Sequence, residues 1–375
     1  MRNVRFVGLD VHAETITVAV AESTGEVRAL GTVPNRPEAV RRLVGKLGPV
    51  DRMRVCYEAG PTGYVLYWQL IGLGAHCEVV APSLVPVKAG DRVKTDRRDA
   101  EKLARSYRAG DLTPVWVPDA EHEALRDLVR AREAAKKDQL RARHRLGKFL
   151  LRHGRHRPAH LKMAWTAGHL DWIRSLTFVA AAHRIVLSDY VHEVDRVATR
   201  IGSLNAAILE AIQTAPPQMR AVIHALQALR GVAAVSAATI VAEVGQLSRF
   251  EHPRQLMGYS GLVPSEYSSG TRRRTGAITK TGNAHLRRVV IEAAWAYRFG
   301  PAVRGPLRAR QAGLDPAITE IAWRAQKRLH DRYRTLGARG KNHNQVITAV
   351  GRELLGFIWD IARTVERQAS FPATA

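Results

Sequence analysis

The chain has 375 residues, enough for two or three domains with at least one substantial hydrophobic core. It carries 58 Lys and Arg against 34 Asp and Glu, a formal net charge of +24, and so large an excess of cations indicates a polyanionic partner. No apolar run approaches the roughly 18 to 20 residues of a transmembrane helix and the N-terminus lacks a signal-sequence pattern, so nucleic acid is favoured over a membrane surface. Cys56 and Cys77 form neither a zinc pattern nor a disulfide framework. This usage fits a reducing cytosol, and together with the charge it predicts a cytoplasmic, nucleoid-associated protein.

Strand-like and helix-like patterns alternate in the first third of the chain. Three strand patterns come first, and helices then separate the later strands, which predicts a mixed sheet with helices on its faces. The predicted strands are Phe6–Val11, Thr15–Ala21, Val27–Val33, Met53–Glu58 and Cys77–Ala81, and the predicted helices are Arg36–Leu47 and Gly63–Leu73.

Four carboxylates stand out on these elements. Asp10 follows an apolar strand pattern, Glu58 ends another, and Asp96 and Asp99 lie three residues apart at the start of a helical pattern, hence on one helix face. Taken singly, Asp10 is a turn former or helix cap, and the helical pair is an N-terminal charge set favoured by the helix dipole. If the four converge, they repel one another unless divalent cations lie between them. We therefore predict a Mg²⁺ or Mn²⁺ site for phosphodiester chemistry.

A charged helical pattern runs from Asp119 to about His156, and its apolar seam is interrupted at Arg132 and Gln139. Its many cations form either a solvated face or, as we favour, a basic arm along a nucleic-acid backbone. A more neutral helix, Ala180–Gln213, either folds back on this arm or pairs between chains, so self-association is expected here.

Two features follow in the C-terminal part. The segment Leu229–Ser236 resembles a helix-hairpin-helix turn that could hold a DNA phosphate, with an ordinary tight turn as the alternative. The segment Gly261–Asn283 is a glycine-rich, basic loop, and either Ser268 or Ser269 in it is a candidate nucleophile or an ordinary turn residue. Six Lys and Arg and no acid lie between Thr271 and Arg288. The predicted nucleic-acid-binding residues, including those of the basic segment before Asp96, are Lys88, Arg92, Lys94, Arg272, Arg273, Arg274, Lys280, Arg287 and Arg288.

Four segments resemble the DEDD transposases of bacterial insertion sequences, relatives of the Piv DNA invertases. They are Gly8–His12, Tyr57–Gly63, Lys94–Ala100 and Gly261–Asn283, in the order and spacing of that family. The resemblance covers nearly the whole chain. It implies an RNase H/RuvC-like mixed-sheet catalytic domain over residues 1–118, a helical, coiled-coil-like arm over 119–218 and a mainly helical transposase domain over 219–375.

The resemblance also implies roles for particular residues. It makes Asp10, Glu58, Asp96 and Asp99 the metal-binding tetrad and makes a serine, preferably Ser269, the nucleophile that joins covalently to DNA. It further implies a structured bridge RNA that pairs with donor and target DNA. The serine could reach the tetrad within one chain or from a partner chain, and we favour a partner chain, in a dimer or tetramer, because strand exchange needs several coordinated cuts. The alternatives are a Holliday-junction-type nuclease using activated water, a Piv-like invertase without an RNA guide, and a nucleic-acid-binding scaffold with vestigial acids.

Overall fold

A computed structural model describes residues 4–86 and 94–370 of the chain, apart from the side chains of Arg273 and Ser370. The chain divides into two compact units, Met1–Val117 and Pro118–Ala375, each with its own hydrophobic core. Over the two described ranges, none of the helices combines the length and the apolar character needed to cross a bilayer.

The first unit is built on a five-stranded mixed sheet with the strand order β3-β2-β1-β4-β5. β1 pairs antiparallel with β2 and parallel with β4, and β4 pairs parallel with β5, which confirms the predicted mixed sheet. The strands are β1 (Arg5–Val11), β2 (Thr15–Glu22), β3 (Val27–Pro34), β4 (Met53–Glu58) and β5 (His76–Val80), and the helices are α1 (Pro37–Leu47), α2 (Val65–Gly72) and α3 (Asp96–Ala109).

The two faces of this sheet carry different layers. Alternate residues of a strand point to opposite faces, and Val7 and Leu9 of β1 enter the larger core with side chains of α1 and α2. The opposite face, which bears Gly8 and Asp10, is covered by α3. Cys56 of β4 is on this second face as well, because its thiol lies 3.8 Å from the carbonyl oxygen of Leu103 in α3. Both cysteines are buried free thiols.

The contact between β1 and α3 is unusually close because of Gly8. A Cβ atom at this position would lie 2.4 Å from both the carbonyl oxygen of Ala100 and the backbone nitrogen of Ala104. The two alanines are fully buried, so the helix backbone itself rests on the strand. Only glycine permits this approach.

The second unit is almost entirely helical. Its longest helices, α4 (Ala120–Arg152) and α6 (Ala181–Thr214), run antiparallel, since Ala142 packs near Val191 and Ala135 near Val197. The remaining helices are α5 (Ala167–Ser175), α7 (Pro217–Leu226), α8 (Ala234–Val244), α9 (Pro253–Tyr259), α10 (Ala284–Ala294), α11 (Pro306–Gln311), α12 (Pro316–Ala338) and α13 (His343–Ser370).

The polar residues that interrupt the α4 seam are accommodated by polar partners. Arg132 donates to the side-chain oxygen of Asn205 on α6 over 2.6 Å, and Gln139, which is buried, accepts from Lys136 over 2.9 Å. The α4–α6 pair therefore forms a helical arm within one chain despite the imperfect seam.

Two of the predicted C-terminal features have a definite backbone form. The turn between α7 and α8 contains Gly231 at φ +84°, where a Cβ would lie 2.3 Å from the carbonyl oxygen of Ala293, so this glycine serves packing against α10. The predicted serine loop is a β-hairpin of β6 (Pro264–Ser269) and β7 (Arg272–Ile278), turned at Gly270 with φ +56°. Sequence reasoning missed this hairpin because its strands are polar and exposed and carry no apolar alternation.

We expect Gly8→Ala to destabilise the first unit by about 1 to 3 kcal/mol or more, because overpacking must push α3 off β1. Hydrogen–deuterium exchange should accelerate in α3 and β1. Gly45→Ala is the matched control, since a Cβ added at this exposed glycine of α1 would meet no heavy atom within 4 Å. That change should leave stability unchanged or raise it by up to about 1 kcal/mol. Equal protection of α3 in the Gly8→Ala variant would contradict the packing account.

Candidate active site

The strand pairing brings Asp10 and Glu58 to the same edge of the sheet. Leu9 of β1 pairs with Tyr57 of β4 in a parallel ladder, so the two acids follow at adjacent carboxyl ends. Asp10 lies two residues after Gly8, and Glu58 lies two residues after Cys56. Because side chains alternate, both carboxylates project on the face that α3 covers.

The start of α3 supplies the other two acids. Thr95 caps the helix by accepting a hydrogen bond from the backbone of Arg98, which fixes Asp96 as the first helical residue. Asp96 and Asp99 both fall in the first turn, where the helix dipole favours negative charge. Ala100 and Ala104 behind them hold this end of the helix against β1.

The four carboxylates interact electrostatically. Burial raises the pKa of Asp10; nearby His12 lowers it, and the charges of Asp96 and Asp99 raise it further. Burial likewise raises the pKa of Glu58, against the opposing effect of Lys102 and with added repulsion from Asp99 and Asp10. The structure therefore brings Glu58, Asp96 and Asp99 within electrostatic range of Asp10, although Glu58 and Asp99 lie outside the tighter group that Asp10 and Asp96 form with His12.

His12 belongs to this cluster, although sequence reasoning did not select it. Its Nε2 atom lies 3.3 Å from Asp10 Oδ2 and 3.6 Å from Asp96 Oδ1. One ligand atom from each of Asp10, His12 and Asp96 falls within 4.8 Å of the others. The signal was present in the sequence, since His12 follows Asp10 by two positions and so shares its face of an extended chain.

This donor set fits a divalent cation. Carboxylate oxygens suit Mg²⁺ and Mn²⁺, whereas the imidazole nitrogen of His12 is a donor that transition metals accept more readily than Mg²⁺ does. Asp10 and Glu58 are partly removed from water, and their pKa values are raised. A cation between the four acids would relieve both the burial penalty and the repulsion.

The candidate serines lie in the second unit, on opposite faces of β6. Ser268 pairs with Arg273 and Ser269 with Arg272 across the hairpin, and both serines are exposed. The hydroxyl of Ser268 donates a hydrogen bond of 2.7 Å to Glu266, two residues earlier on the same face. Ser269 adjoins the turn at Gly270.

The two ends of the hairpin, at Gly261 and at Gly282–Asn283, pack tightly against the helical core, and we call them the hairpin root. A Cβ at Gly261 would lie 2.1 Å from the carbonyl oxygen of Thr281, and one at Gly282 would lie 2.2 Å from that of Tyr259. Asn283 then caps α10 by accepting from the backbone of Leu286 over 2.9 Å. These contacts fix where the exposed strands leave the core.

A buried acid ties the hairpin root to the arm. Glu243 of α8 is fully buried, accepts two hydrogen bonds of 2.8 and 2.9 Å from Arg130 of α4, and accepts a third of 2.8 Å from Asn283. Burial opposes its ionisation, but the hydrogen bonds from Arg130 and Asn283 prevail and lower the pKa of Glu243. The buried charge is thus fully partnered.

A second acid, Glu133 of α4, contacts the next turn of α10. His285 Nδ1 lies 2.7 Å from its carboxylate, Arg288 donates over 3.0 Å, and Lys137 forms an ion pair at 2.9 Å. Burial opposes ionisation here too, but the hydrogen bonds from His285 and Lys137 and the charge of Arg288 lower the pKa of Glu133 to about 2. Sequence reasoning missed both acids because Arg130, His285 and Arg288 lie more than a hundred positions away from the acids that they contact.

The predicted nucleic-acid-binding residues have different surroundings. Lys94 is exposed, with Nζ 3.9 Å from Asp99, and Arg272, Arg274 and Lys280 are exposed at the hairpin. Arg287 donates to the carbonyl oxygen of Ser260 over 2.8 Å, and Arg288 bridges Glu133 and Glu292, so both also serve internal contacts. Lys88 and Arg92 lie outside the described residues, as does the side chain of Arg273.

The mixed sheet, with acids at its edge and on the covering helix, defines an RNase H fold of the RuvC-like class. Residues 7–154 match a model of the DEDD transposases of the IS110 type, and residues 223–306 match the transposase IS116/IS110/IS902 family. The chain belongs to this family of insertion-sequence transposases.

Individual relatives agree with this assignment. A putative transposase (y4qE) of Sinorhizobium fredii is 46% identical over 97% of this chain and 90% of its own length. The transposase for insertion sequence element IS1533 of Leptospira borgpetersenii is 31% identical over 91% of this chain and 99% of its own length. A pilin gene-inverting protein of Moraxella bovis is 22% identical over 73% of this chain and 67% of its own.

The low pKa of Glu133 predicts a pH-dependent stability. Its stabilisation is complete above the ordinary glutamate pKa of about 4.5 and is lost as the pH falls towards about 2. We expect Glu133→Gln to destabilise the protein by about 1 to 3 kcal/mol at pH 7, the range for hydrogen bonds to charged groups, and by progressively less below pH about 4.5. Urea unfolding between pH 7 and pH 3 measures the difference.

Glu210→Gln is the control, since Glu210 is an exposed residue of α6 with no ion pair among the described residues. It should change stability by less than about 0.5 kcal/mol at every pH. A constant difference between wild type and Glu133→Gln across this range would contradict the assignment.

Proposed function

We propose that the protein cleaves and exchanges DNA strands as a metal-dependent transposase with a serine-linked DNA intermediate. The observation that carries this proposal is that Asp10 lies within electrostatic range of Glu58, Asp96 and Asp99 on the face of the sheet that α3 covers, with mutual repulsion among the acids. In a member of a transposase family, a cluster of interacting acids is a candidate site for phosphodiester chemistry. A site of this kind requires cations to be stable in its ionised form.

The tetrad would hold Mg²⁺ or Mn²⁺, with His12 beside it. When bound, the cations polarise the scissile phosphate and stabilise the charge that develops on its oxygens. The chain's own contribution is to fix the donors: β1 and β4 set Asp10 and Glu58, and the cap at Thr95 sets the first turn of α3. Ordering the ligands in advance lowers the cost of assembling the site.

The nucleophile we prefer is Ser269. Its Oγ would attack the phosphorus, forming a phosphoserine ester while the bond from phosphorus to a deoxyribose oxygen breaks. The serine proton passes to solvent, and the released sugar oxygen takes up a proton from solvent to become a free hydroxyl that can later attack an exchanged end. The covalent link conserves the energy of the phosphodiester bond. Ser269 adjoins the turn, whereas the hydroxyl of Ser268 is already donated to Glu266.

The proposed partners are donor and target DNA, a structured guide RNA, and further copies of this chain in a dimer or tetramer. The net charge of +24 supports contact with nucleic-acid backbones over a large surface. The acids belong to the first unit and the serines to the second. We propose that the serine of one chain acts with the tetrad of a partner, because strand exchange needs several coordinated cuts.

Trapping the intermediate tests the serine step. Wild-type protein incubated with element-end DNA and Mg²⁺ should yield a protein–DNA adduct that survives denaturation. Ser269→Ala should abolish the adduct while DNA binding is retained, and Ser268→Ala should keep it, since its hydroxyl is committed to Glu266. Cleavage that persists without any adduct in the Ser269→Ala variant would favour a nuclease that activates water.

The Asp10→Asn variant tests whether the protein is an enzyme or a nucleic-acid-binding scaffold with vestigial acids. The change keeps the shape of the side chain but removes one of the four negative charges, so strand cleavage should fall by at least about 100-fold while DNA binding is kept. Unchanged recombination in this variant would show that the acids are vestigial.

A site-specific DNA invertase without an RNA guide is the second candidate. The similarity to the pilin gene-inverting protein of Moraxella bovis favours it. Recombination assays with purified protein and DNA, run with and without the noncoding transcript of the element, distinguish the invertase from the guided transposase. Activity that depends on the transcript supports the guided transposase, and full activity without it supports the invertase.

A further inference from the structure

From Gln139 onwards, the acidic and basic residues of α4 and of the turn after it are all basic. From Gln139 to Arg157 there are seven Lys and Arg and no acid. Three of the cations, Arg145, Lys148 and Arg152, recur at intervals of three and four residues, which places them on one face of α4. Like charges at these spacings destabilise a bare helix, so the arrangement favours a bound anion.

A cavity of about 300 Å³ opens on this face, between α4 and α6. It is lined by Arg145, Lys148, Phe149, Arg152 and Tyr190, and we name these five residues the arm notch. The rings of Tyr190 and Phe149 meet edge to face, with centroids 5.7 Å apart. The notch therefore has an aromatic wall beside three cations.

The acids near the notch neutralise little of its charge. Glu193 of α6 accepts hydrogen bonds of 2.7 and 2.8 Å from Arg196, and only a 4.0 Å contact reaches Arg145. Asp189 is exposed beside Tyr190 and, among the residues that the structure describes, forms no ion pair with a notch cation. Within the described part of the chain, Lys148 has no ion-pair partner, and Arg152 contacts only the Phe149 ring at 5.8 Å.

We propose that the arm notch binds the sugar-phosphate backbone of a nucleic-acid strand. The seven helical steps from Arg145 to Arg152 span about 10 Å, and one strand of a duplex carries a phosphate about every 3.4 Å along its axis. Three cations thus match about three successive phosphates. The Tyr190 ring offers the sugars an apolar contact. The inference rests on the proposed function only in taking nucleic acid as the substrate.

The double variant Lys148→Ala/Arg152→Ala tests this site in the full-length protein. Both side chains are exposed and alanine favours helix, so the thermal midpoint should be unchanged or higher. Binding is measured between 50 and 300 mM salt with a 30-base-pair DNA duplex and, separately, an RNA hairpin. The slope of log affinity against log salt should become shallower by about 1.4 to 1.8, because two phosphate contacts are lost.

Arg141→Ala/Arg200→Ala is the matched control on the same arm. It removes the same formal charge, but both arginines pair with Asp138, with Arg200 3.1 Å from it. Its slope should change by less than about 0.5, since the carboxylate of Asp138 engages both of these cations and holds them away from a phosphate.

A change confined to duplex DNA or to RNA identifies which backbone occupies the arm notch, and a change with both supports a shared site. An unchanged slope with both probes, or an equal change in the control, overturns the proposal. Binding needs no strand cleavage, so Ser269→Ala should keep the wild-type slope. Failure of the serine mechanism is therefore distinguishable from failure of this inference.

Discussion

The acidic site depends on how closely α3 lies on β1. Gly8 lets the backbone of α3 touch the strand, and the buried Ala100 and Ala104 add no bulk on the helix side. This contact brings the first turn of α3, with Asp96 and Asp99, to the strand ends that carry Asp10 and Glu58. A larger residue at any of these three small positions would move the helical acids relative to the strand acids. The chemistry proposed for the site follows from this packing.

Two pairs of acids in the chain have opposite pKa shifts. Glu133 and Glu243 are surrounded by arginine, lysine, histidine and asparagine donors, and their pKa values are lowered. At Asp10 and Glu58, burial and then repulsion from neighbouring carboxylates outweigh the effects of His12 and Lys102, and the pKa values are raised. Glu133 and Glu243 stabilise the packing of the arm helix α4 against α10 and the hairpin root. Asp10 and Glu58 keep raised pKa values even though His12 and Lys102 lie nearby, and perturbed acids that act together are expected at a functional site.

The sequence predicted the parts of the fold that rest on local patterns. Alternating strands, helix periods and the order of elements identified the mixed sheet, the two arm helices and four acids on converging elements. His12 could have been found by the same alternation. The bond between Arg130 and Glu243 joins residues 113 positions apart, and no local pattern encodes such a contact. The polar hairpin was also missed, because exposed strands lack the apolar periodicity on which strand prediction depends.

Direct titration with Mn²⁺ is the most immediate test of the central claim that the four acids hold divalent cations. Calorimetry or electron paramagnetic resonance on the free protein and its DNA complex measures the sites. The account predicts saturable binding by the wild type and at least about tenfold weaker binding by Asp10→Asn/Glu58→Gln with the fold intact. Equal Mn²⁺ affinity in the two proteins, or no binding by the wild type even with DNA present, would contradict it.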